Sequence, residues 1–232
     1  MEILHVDEQL FVVSKPPGLL AQPDHTGDPD VLGRAKQWLE ERGDDDPFLG
    51  LVHRLDRPTS GVMVLGRTSA AARSLSRQFR ERTVEKTYLA VVEGTLRGIG
   101  SWSDYVAKLG RQPTLVPPGH AEGKPAELDW QALHSAGGRT LLRLQLHTGR
   151  PHQIRLQAAE RGHPVVGDTR YGAAAATLER DIALHHAYLR LEHPERRRVD
   201  TFVAPVPGAW DAVVVPKMRS LLEREMDRAT LH

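Results

Sequence analysis

Residues 53–61 read HRLDRPTSG, and the rest of the chain can be placed around this short stretch. It sets one carboxylate, Asp56, between two arginines, and Pro58 stiffens the backbone just after it. An apolar run at 62–65 follows at once, which is typical of a buried strand. Asp56 is therefore predicted to lie on an ordered loop that leads into the core, either as a member of a structural ion pair or as a functional carboxylate. Composition alone favours the ion pair, because most charged residues are solvated or paired.

The composition is that of a soluble globular protein. Hydrophobic residues make up 40% of the 232 residues and charged residues 26%. The absence of cysteine excludes disulfides, thiolate nucleophiles and cysteine-type zinc sites. The N-terminal residues have no basic segment followed by a long apolar run, and no stretch is long enough to span a bilayer. We therefore expect a cytoplasmic protein with no membrane contact.

Charge is balanced overall but uneven along the chain. A net charge of +1 does not indicate a globally basic nucleic-acid-binding protein. Arginine outnumbers lysine by 25 to 6, and arginine is suited to bidentate phosphate contacts. A GC-rich genome would explain the excess equally well. Between Arg67 and Arg82 there are five arginines and one acid, Glu81, which makes a local basic patch.

The periodicity predicts a mixed α+β fold. Its core is a mostly antiparallel β-sheet, and helices flank that core. A glycine- and proline-rich stretch at 95–128 is predicted to be mainly loop. The predicted strands are 3–6, 10–13, 62–65, 83–93, 128–133, 140–146, 184–191 and 202–206. Strands 128–133 and 140–146 are expected to form an antiparallel pair around Gly137 and Gly138. The predicted helices are 31–41 capped by Asp30, 69–81 capped by Thr68 or Ser69, one within 148–162 that has Pro151 in its first turn, and a final helix after Pro216.

The helix predicted after the basic stretch has two distinct faces. Leu75 and Phe79 fall on an apolar face, whereas Arg73, Arg77 and Arg80 fall on another. A solvated surface and a phosphate-binding surface both fit that second face.

The helix predicted at 148–162 begins with cations. Pro151 suits its first turn and Gly162 suits its end. Arg150, His152 and Arg155 lie near its N-terminus, where positive charge opposes the helix macrodipole. A nearby anion would relieve this, either a carboxylate such as Asp56 or an RNA phosphate.

Several catalytic classes are excluded by missing motifs. The histidines show no His-Glu-x-x-His pattern, and no Gly-x-Ser-x-Gly elbow is present, so Ser60 is a turn hydroxyl rather than a nucleophile. A dinucleotide fingerprint and a kinase motif set are absent as well. We expect no metal, no nucleotide and no other cofactor.

Five segments resemble the sequence motifs of one protein family, and they occur along the chain in the same order as in that family. Residues 53–61 are similar to the signature of the RluA-type pseudouridine synthases, and 86–90 and 148–155 resemble its second and third motifs. Residues 167–172 and 184–187 fit further family patterns. The resemblance implies one pseudouridine synthase catalytic domain over 1–232, without a separate N-terminal RNA-binding domain.

This resemblance implies a reaction that one carboxylate can perform. The C1′–N1 bond of uridine breaks, the uracil turns, and a bond to C5 forms. Asp56 is the implied catalytic residue, and attack at C1′, attack at C6 and removal of a sugar proton all stay open. Arg155 would pair with Asp56, and Tyr88 would stack on the uracil and is a candidate for proton transfer.

The substrate-binding residues are also implied by the resemblance. Arg54 would fill the gap left when the target nucleotide leaves its stack. Lys86, Arg150 and His152 would contact the substrate RNA. We expect the partner to be an rRNA or tRNA stem-loop and the protein to be a monomer.

Two positions depart from the family pattern, and two other functions stay open. Pro151 and Gln157 stand where the family usually has Thr and His, so local RNA contacts can differ. An N-glycosidase acting on nucleosides would need a second carboxylate, and Asp168 is the candidate. A non-catalytic RNA-binding or chaperone protein would not need Asp56.

Overall fold

The computed structural model describes residues 1–110, 112–174 and 181–230. The helices are α1 (Val31–Glu40), α2 (Ser69–Glu81), α3 (Gln153–Glu160) and α4 (Pro216–Thr230), with 3-10 turns at Thr169–Tyr171 and Gly208–Ala212. The strands are β1 (Glu2–Val6), β2 (Leu10–Lys15), β3 (Gly50–Leu51), β4 (Ser60–Gly66), β5 (Glu85–Glu93), β6 (Ile99–Leu109), β7 (Gln112–Val116), β8 (Lys124–Ala136), β9 (Arg139–Leu146), β10 (Leu184–Glu192) and β11 (Val199–Val203). None of the described helices is both long and apolar enough to cross a membrane.

The chain divides into two compact units. The first comprises Met1–Glu85, His186–Pro207 and the end of the chain from Met226. The second comprises Lys86–His185 and Gly208–Glu225. Each unit has antiparallel strands with helices beside them, which confirms the predicted α+β class.

In the first unit, the strand order is β1-β2-β4-β10, with β3 paired to β4 and β11 to β10. The predicted helix caps are confirmed, because Asp30 accepts a hydrogen bond from the Gly33 amide and Thr68 accepts one from Ala71. Leu75 of α2 packs on the sheet in a fully buried position. The buried core around it consists of Leu10, Val12, Val62, Val64, Val84, Leu189, Leu191, Phe202 and Ala204.

In the second unit, the strand order is β5-β9-β8-β6-β7. The turn between β8 and β9 is formed by Gly137 and Gly138, as predicted, with φ of 60° and 72°. Positive φ at both central residues suits a tight hairpin turn, and glycine adopts it without a steric penalty.

The prediction of a mainly loop segment at 95–128 is wrong, because β6, β7 and the start of β8 lie there. Gly98, Gly110 and Gly119 have positive φ and lie between strands rather than within them. Pro113 lies on β7, the outermost strand of this order, where a missing amide hydrogen breaks no interior ladder. The prediction for 202–206 was also shifted, since β11 begins at Val199.

Asp7 joins the turn between β1 and β2 to the rest of the first unit. Its carboxylate accepts hydrogen bonds from the amides of Gln9 and Leu10, both at 2.8 Å. The Nε2 atoms of His5 and His193 lie 3.1 and 3.0 Å from it. Burial alone would raise the pKa of the Asp7 carboxyl, but these hydrogen bonds outweigh it and hold the pKa well below its usual value of 3.8.

We predict that Asp7→Asn lowers the free energy of unfolding at pH 7 by about 1–3 kcal/mol, the usual contribution of hydrogen bonds to a charged group. A depressed carboxyl pKa stabilises the fold above the unfolded-state value, and this contribution is lost as pH falls below 3.8. The difference in unfolding free energy between wild type and variant should therefore begin to narrow at about pH 5, where the unfolded carboxyl begins to titrate, and should keep narrowing as the pH falls through 3.8 and below. Urea unfolding at each pH measures it.

The matched control is Asp45→Asn, which changes an exposed carboxylate in the same unit. It should leave unfolding unchanged at each pH. A gap for Asp7→Asn that stays constant on acidification would contradict the assignment.

Candidate active site

Asp56 lies on the loop that joins β3 to β4, as predicted. The Asp56 side chain is half-buried, and Leu55 beside it is buried. The amide of Thr59 donates to the Asp56 carbonyl at 3.0 Å, which closes a turn over Arg57 and Pro58. Pro58 therefore lies in a turn between the Asp56 carboxylate and the buried strand β4, in agreement with the prediction from the sequence.

A buried cation supports this loop from below. The Lys15 side chain is completely buried, and its Nζ donates to the carbonyls of Pro16, Leu19 and Arg57 at 3.0, 2.8 and 3.0 Å. The Gly18 amide also donates to the Arg57 carbonyl, at 2.9 Å. Lys15 therefore fixes the residue next to Asp56 to the segment that follows β2. We did not predict this role, and the only signal was a lysine at the end of an apolar strand.

The two arginines flanking Asp56 have different surroundings. Arg57 folds back, because its Nε donates to the Gly18 carbonyl at 2.9 Å and its NH1 lies 2.8 Å from Asp28. Arg54 is exposed. Arg57 therefore has a structural role, whereas Arg54 presents its charge to solvent.

The ends of the signature are fixed by packing. The Val64 amide donates to His53 Nε2 at 3.0 Å, and the His53 ring stacks on Phe79 of α2 with centroids 4.7 Å apart. Gly61 has φ of 119°, and a Cβ there would collide with the backbone of His186. Glycine is required at this close approach of two backbones.

In the second unit, Tyr88 lies on β5 opposite Leu144 of β9. The Tyr88 side chain is half-buried, and Lys86 is buried. Thr87 between them donates to Gln145 at 2.8 Å, which ties the strand to its neighbour. The predicted strand is confirmed.

Arg155 is held by an acid within its own unit. Its Nε and NH2 donate to the two carboxylate oxygens of Asp168 at 2.6 and 2.9 Å, and both side chains are buried. The guanidinium also lies 4.9 Å from the centre of the Tyr171 ring. Such a bidentate pair orients the guanidinium firmly. The predicted pairing of Arg155 with Asp56 stays a prediction.

The third motif begins with a turn rather than a helix. The prediction that Pro151 lies in the first turn of this helix is wrong, because α3 begins at Gln153. His152 precedes it with φ of 55°, a left-handed conformation that cannot belong to the helix. Its Nδ1 lies 2.7 Å from the Tyr171 hydroxyl. The end predicted at Gly162 is confirmed, with φ of 74°.

Gln153 organises this turn. Its Oε1 accepts hydrogen bonds from the Thr148 hydroxyl at 2.7 Å and the Arg150 amide at 3.0 Å. Its Nε2 donates to the Glu127 carbonyl at 3.1 Å. Arg150 Nε donates in turn to the Pro125 carbonyl at 2.8 Å. The turn is therefore rigid before any ligand arrives.

The two departures from the family pattern have different surroundings. Gln157 is completely buried, and its Nε2 donates to Asp104 at 2.7 Å and to the Ala126 carbonyl at 3.0 Å. Arg161 also pairs with Asp104, at 3.0 Å. Gln157 is thus a structural residue of the second unit, whereas Pro151 is exposed.

Comparisons with known proteins agree with one another. A family model described as RNA pseudouridylate synthase matches residues 9–160. An uncharacterized RNA pseudouridine synthase of Synechocystis is 34% identical, over 93% of this chain and 68% of that protein. Ribosomal large subunit pseudouridine synthase D of Nitrosomonas europaea is 33% identical, over 98% of this chain and 68% of that protein. A solved structure, human RNA pseudouridylate synthase domain containing 4, has a TM-score of 0.74 at 24% identity, over 91% of this chain and 92% of that one.

We predict that Lys15→Met lowers the free energy of unfolding by about 2–4 kcal/mol. The substitution keeps an apolar stem of similar length but removes the ammonium donor. The Arg57 carbonyl keeps its hydrogen bond from the Gly18 amide, whereas the carbonyls of Pro16 and Leu19 lose this donor, and a buried polar group left unpaired costs about 1–3 kcal/mol. Urea unfolding measures it, with Lys108→Met, at an exposed lysine, as control. Equal stability of the two variants would show that the buried ammonium does not hold the loop.

Asp168→Asn should destabilise the protein by about 3–5 kcal/mol, because it removes the carboxylate of the buried bidentate pair with Arg155. The control is Asp211→Asn, which removes the partner of the exposed Arg219 and should cost at most about 1 kcal/mol. Thermal unfolding of both variants measures the difference. Equal losses would contradict the structural importance of the buried pair.

Proposed function

The chain belongs to the RNA pseudouridylate synthase family, and we propose that it converts specific uridines of structured rRNA or tRNA to pseudouridine with Asp56 as its catalytic carboxylate. The observation that carries this proposal is the clamped loop of the first unit. It holds a half-buried carboxylate in the family signature, next to a carbonyl fixed by Lys15.

The reaction is an isomerisation, so atoms balance without a co-substrate. The C1′–N1 bond of uridine breaks, a C1′–C5 bond forms, and the hydrogen on C5 leaves as a proton while N1 gains one. A preorganised carboxylate can serve as nucleophile or as base in such a sequence. Tyr88 and Arg155 complete the proposed catalytic set.

RNA binding is proposed for four further residues. Arg54 is exposed on the catalytic loop and is suited to occupy the space of a flipped nucleotide. His152 and Arg150 belong to the rigid turn before α3, and Lys86 lies on β5. Among these RNAs we propose the rRNA of the large ribosomal subunit as the substrate, since two relatives are named ribosomal large subunit pseudouridine synthase D. We propose further that the protein acts as a monomer in the cytoplasm without a cofactor.

The surroundings of Asp168 argue against the alternative function of N-glycosidase, which would require a second catalytic carboxylate. Asp168 was the candidate, but both of its oxygens are bonded to Arg155 and its side chain is buried. A general acid needs to reach the leaving group or its water. The surroundings of Asp168 fit a residue that orients Arg155.

We predict that Asp56→Asn lowers the rate of uridine isomerisation by at least about 10³-fold, within the range that a positioned proton-transfer group contributes. Release of tritium from RNA containing 5-tritiated uridine reports each turnover. Unfolding and RNA affinity should stay close to wild type, which separates a chemical defect from misfolding. Asp45→Asn, at an exposed carboxylate, should retain full activity, and full activity of Asp56→Asn would refute the assignment.

A further inference from the structure

A row of arginines runs along the outer side of α2. Arg73, Arg77 and Arg80, hereafter the arginine strip, are all exposed, whereas Leu75 and Gln78 are buried. The spacing of four and three residues places the three guanidinium groups on one side of the helix. From first to last they span about 10 Å along the helix axis.

The orientation of the helix is fixed by Gln78. Its Nε2 donates to the Glu192 carbonyl at 2.8 Å, and its Oε1 accepts from the Glu192 amide at 3.0 Å. Both polar ends of the side chain are therefore bonded to the end of β10. Because α2 cannot rotate without breaking this pair, the arginine strip is held on the side facing away from the sheet.

Nine other arginines of the described residues pair with acids, whereas the members of the strip do not. Among the ion pairs of the described residues, none includes a member of the strip. The arginines that do pair with acids are Arg57, Arg67, Arg143, Arg155, Arg161, Arg190, Arg196, Arg198 and Arg219. Like charges at this spacing destabilise a helix by about 0.2–0.5 kcal/mol per pair. Only Arg80, in the last turn, is favoured by the macrodipole.

The last turn of α2 also contacts the start of the catalytic loop. The Phe79 ring, next to Arg80 in the last turn of α2, stacks on His53 at 4.7 Å. His53 is followed directly by the exposed Arg54. The start of the loop that carries Asp56 is therefore packed against the helix that bears the strip.

We propose that the arginine strip binds the phosphodiester backbone of substrate RNA on the strand that flanks the target uridine. The proposal rests on the proposed function and adds a binding surface to it. Arginine pairs with phosphate in bidentate fashion and needs no base identity to do so. A span of about 10 Å corresponds to about three nucleotides along one strand of a duplex. The strip thus contributes affinity and register, not sequence choice.

The test replaces all three strip residues with glutamine, R73Q/R77Q/R80Q. Glutamine removes the charge while retaining good helix propensity. The control is R190Q/R198Q/R219Q, which removes the same charge from exposed arginines that are paired with acids. The probe is a fluorescein-labelled, unmodified RNA stem-loop, and its Kd is measured by anisotropy over a series of salt concentrations.

For the strip variant, the slope of log K against log salt should be less steep than that of wild type by about 2–3. Each lost phosphate contact reduces the magnitude of this slope by about 0.7–0.9. The control triple should keep a slope close to that of wild type. Where isomerisation is measured, the KM for RNA should rise in step with Kd. Equal slopes for the strip variant and the control triple would overturn the proposal.

The outcome stays separable from that of the proposed function. If wild type binds the stem-loop through the strip but releases no tritium from any uridine-labelled RNA, the binding surface stands and the proposed reaction fails. If wild type is active and the strip variant binds as tightly as the control triple, the reaction stands and this inference fails.

Discussion

The loop that carries Asp56 depends on a single buried ammonium group. A charge without water is costly unless it is fully hydrogen-bonded. Lys15 meets that requirement with three carbonyls, and one of them belongs to Arg57, the residue after Asp56. This requirement restrains the backbone of the loop, because a movement of the loop would break the hydrogen bond from the buried ammonium to the Arg57 carbonyl. The carboxylate is presented on a surface that is shaped before RNA binds.

The second unit fixes its own motif residues in the same way, with several hydrogen bonds to each buried polar group. Arg155 is buried with Asp168 in a bidentate pair, and Gln153 satisfies three groups of the turn before α3. In both units, buried polar groups are fixed by several partners at once. Such networks specify one geometry, as a site for a demanding isomerisation requires. The arginine strip is the opposite case, since its charges are exposed and available to an RNA backbone.

What could be predicted from the sequence was local chemistry. The Asp30 and Thr68 caps, the glycine turn of β8 and β9, and the signature loop all depend on residues close together in the chain. β6 and β7 were missed because glycines between strands and a proline on an outer strand imitate loop composition. The Lys15 clamp was missed because a key acceptor, Arg57, lies 42 residues away. Similarly, nothing in the neighbouring sequence indicates that His152 adopts a left-handed conformation, so that α3 begins only at Gln153.

We propose that this chain isomerises uridine in RNA through Asp56. The most direct measurement is a transcriptome-wide map of pseudouridine in cells that lack the gene, complemented with wild type or with Asp56→Asn. We expect discrete positions in rRNA or tRNA to lose pseudouridine on deletion and to regain it only with wild type. A map unchanged by deletion, or restored equally by Asp56→Asn, would contradict the account.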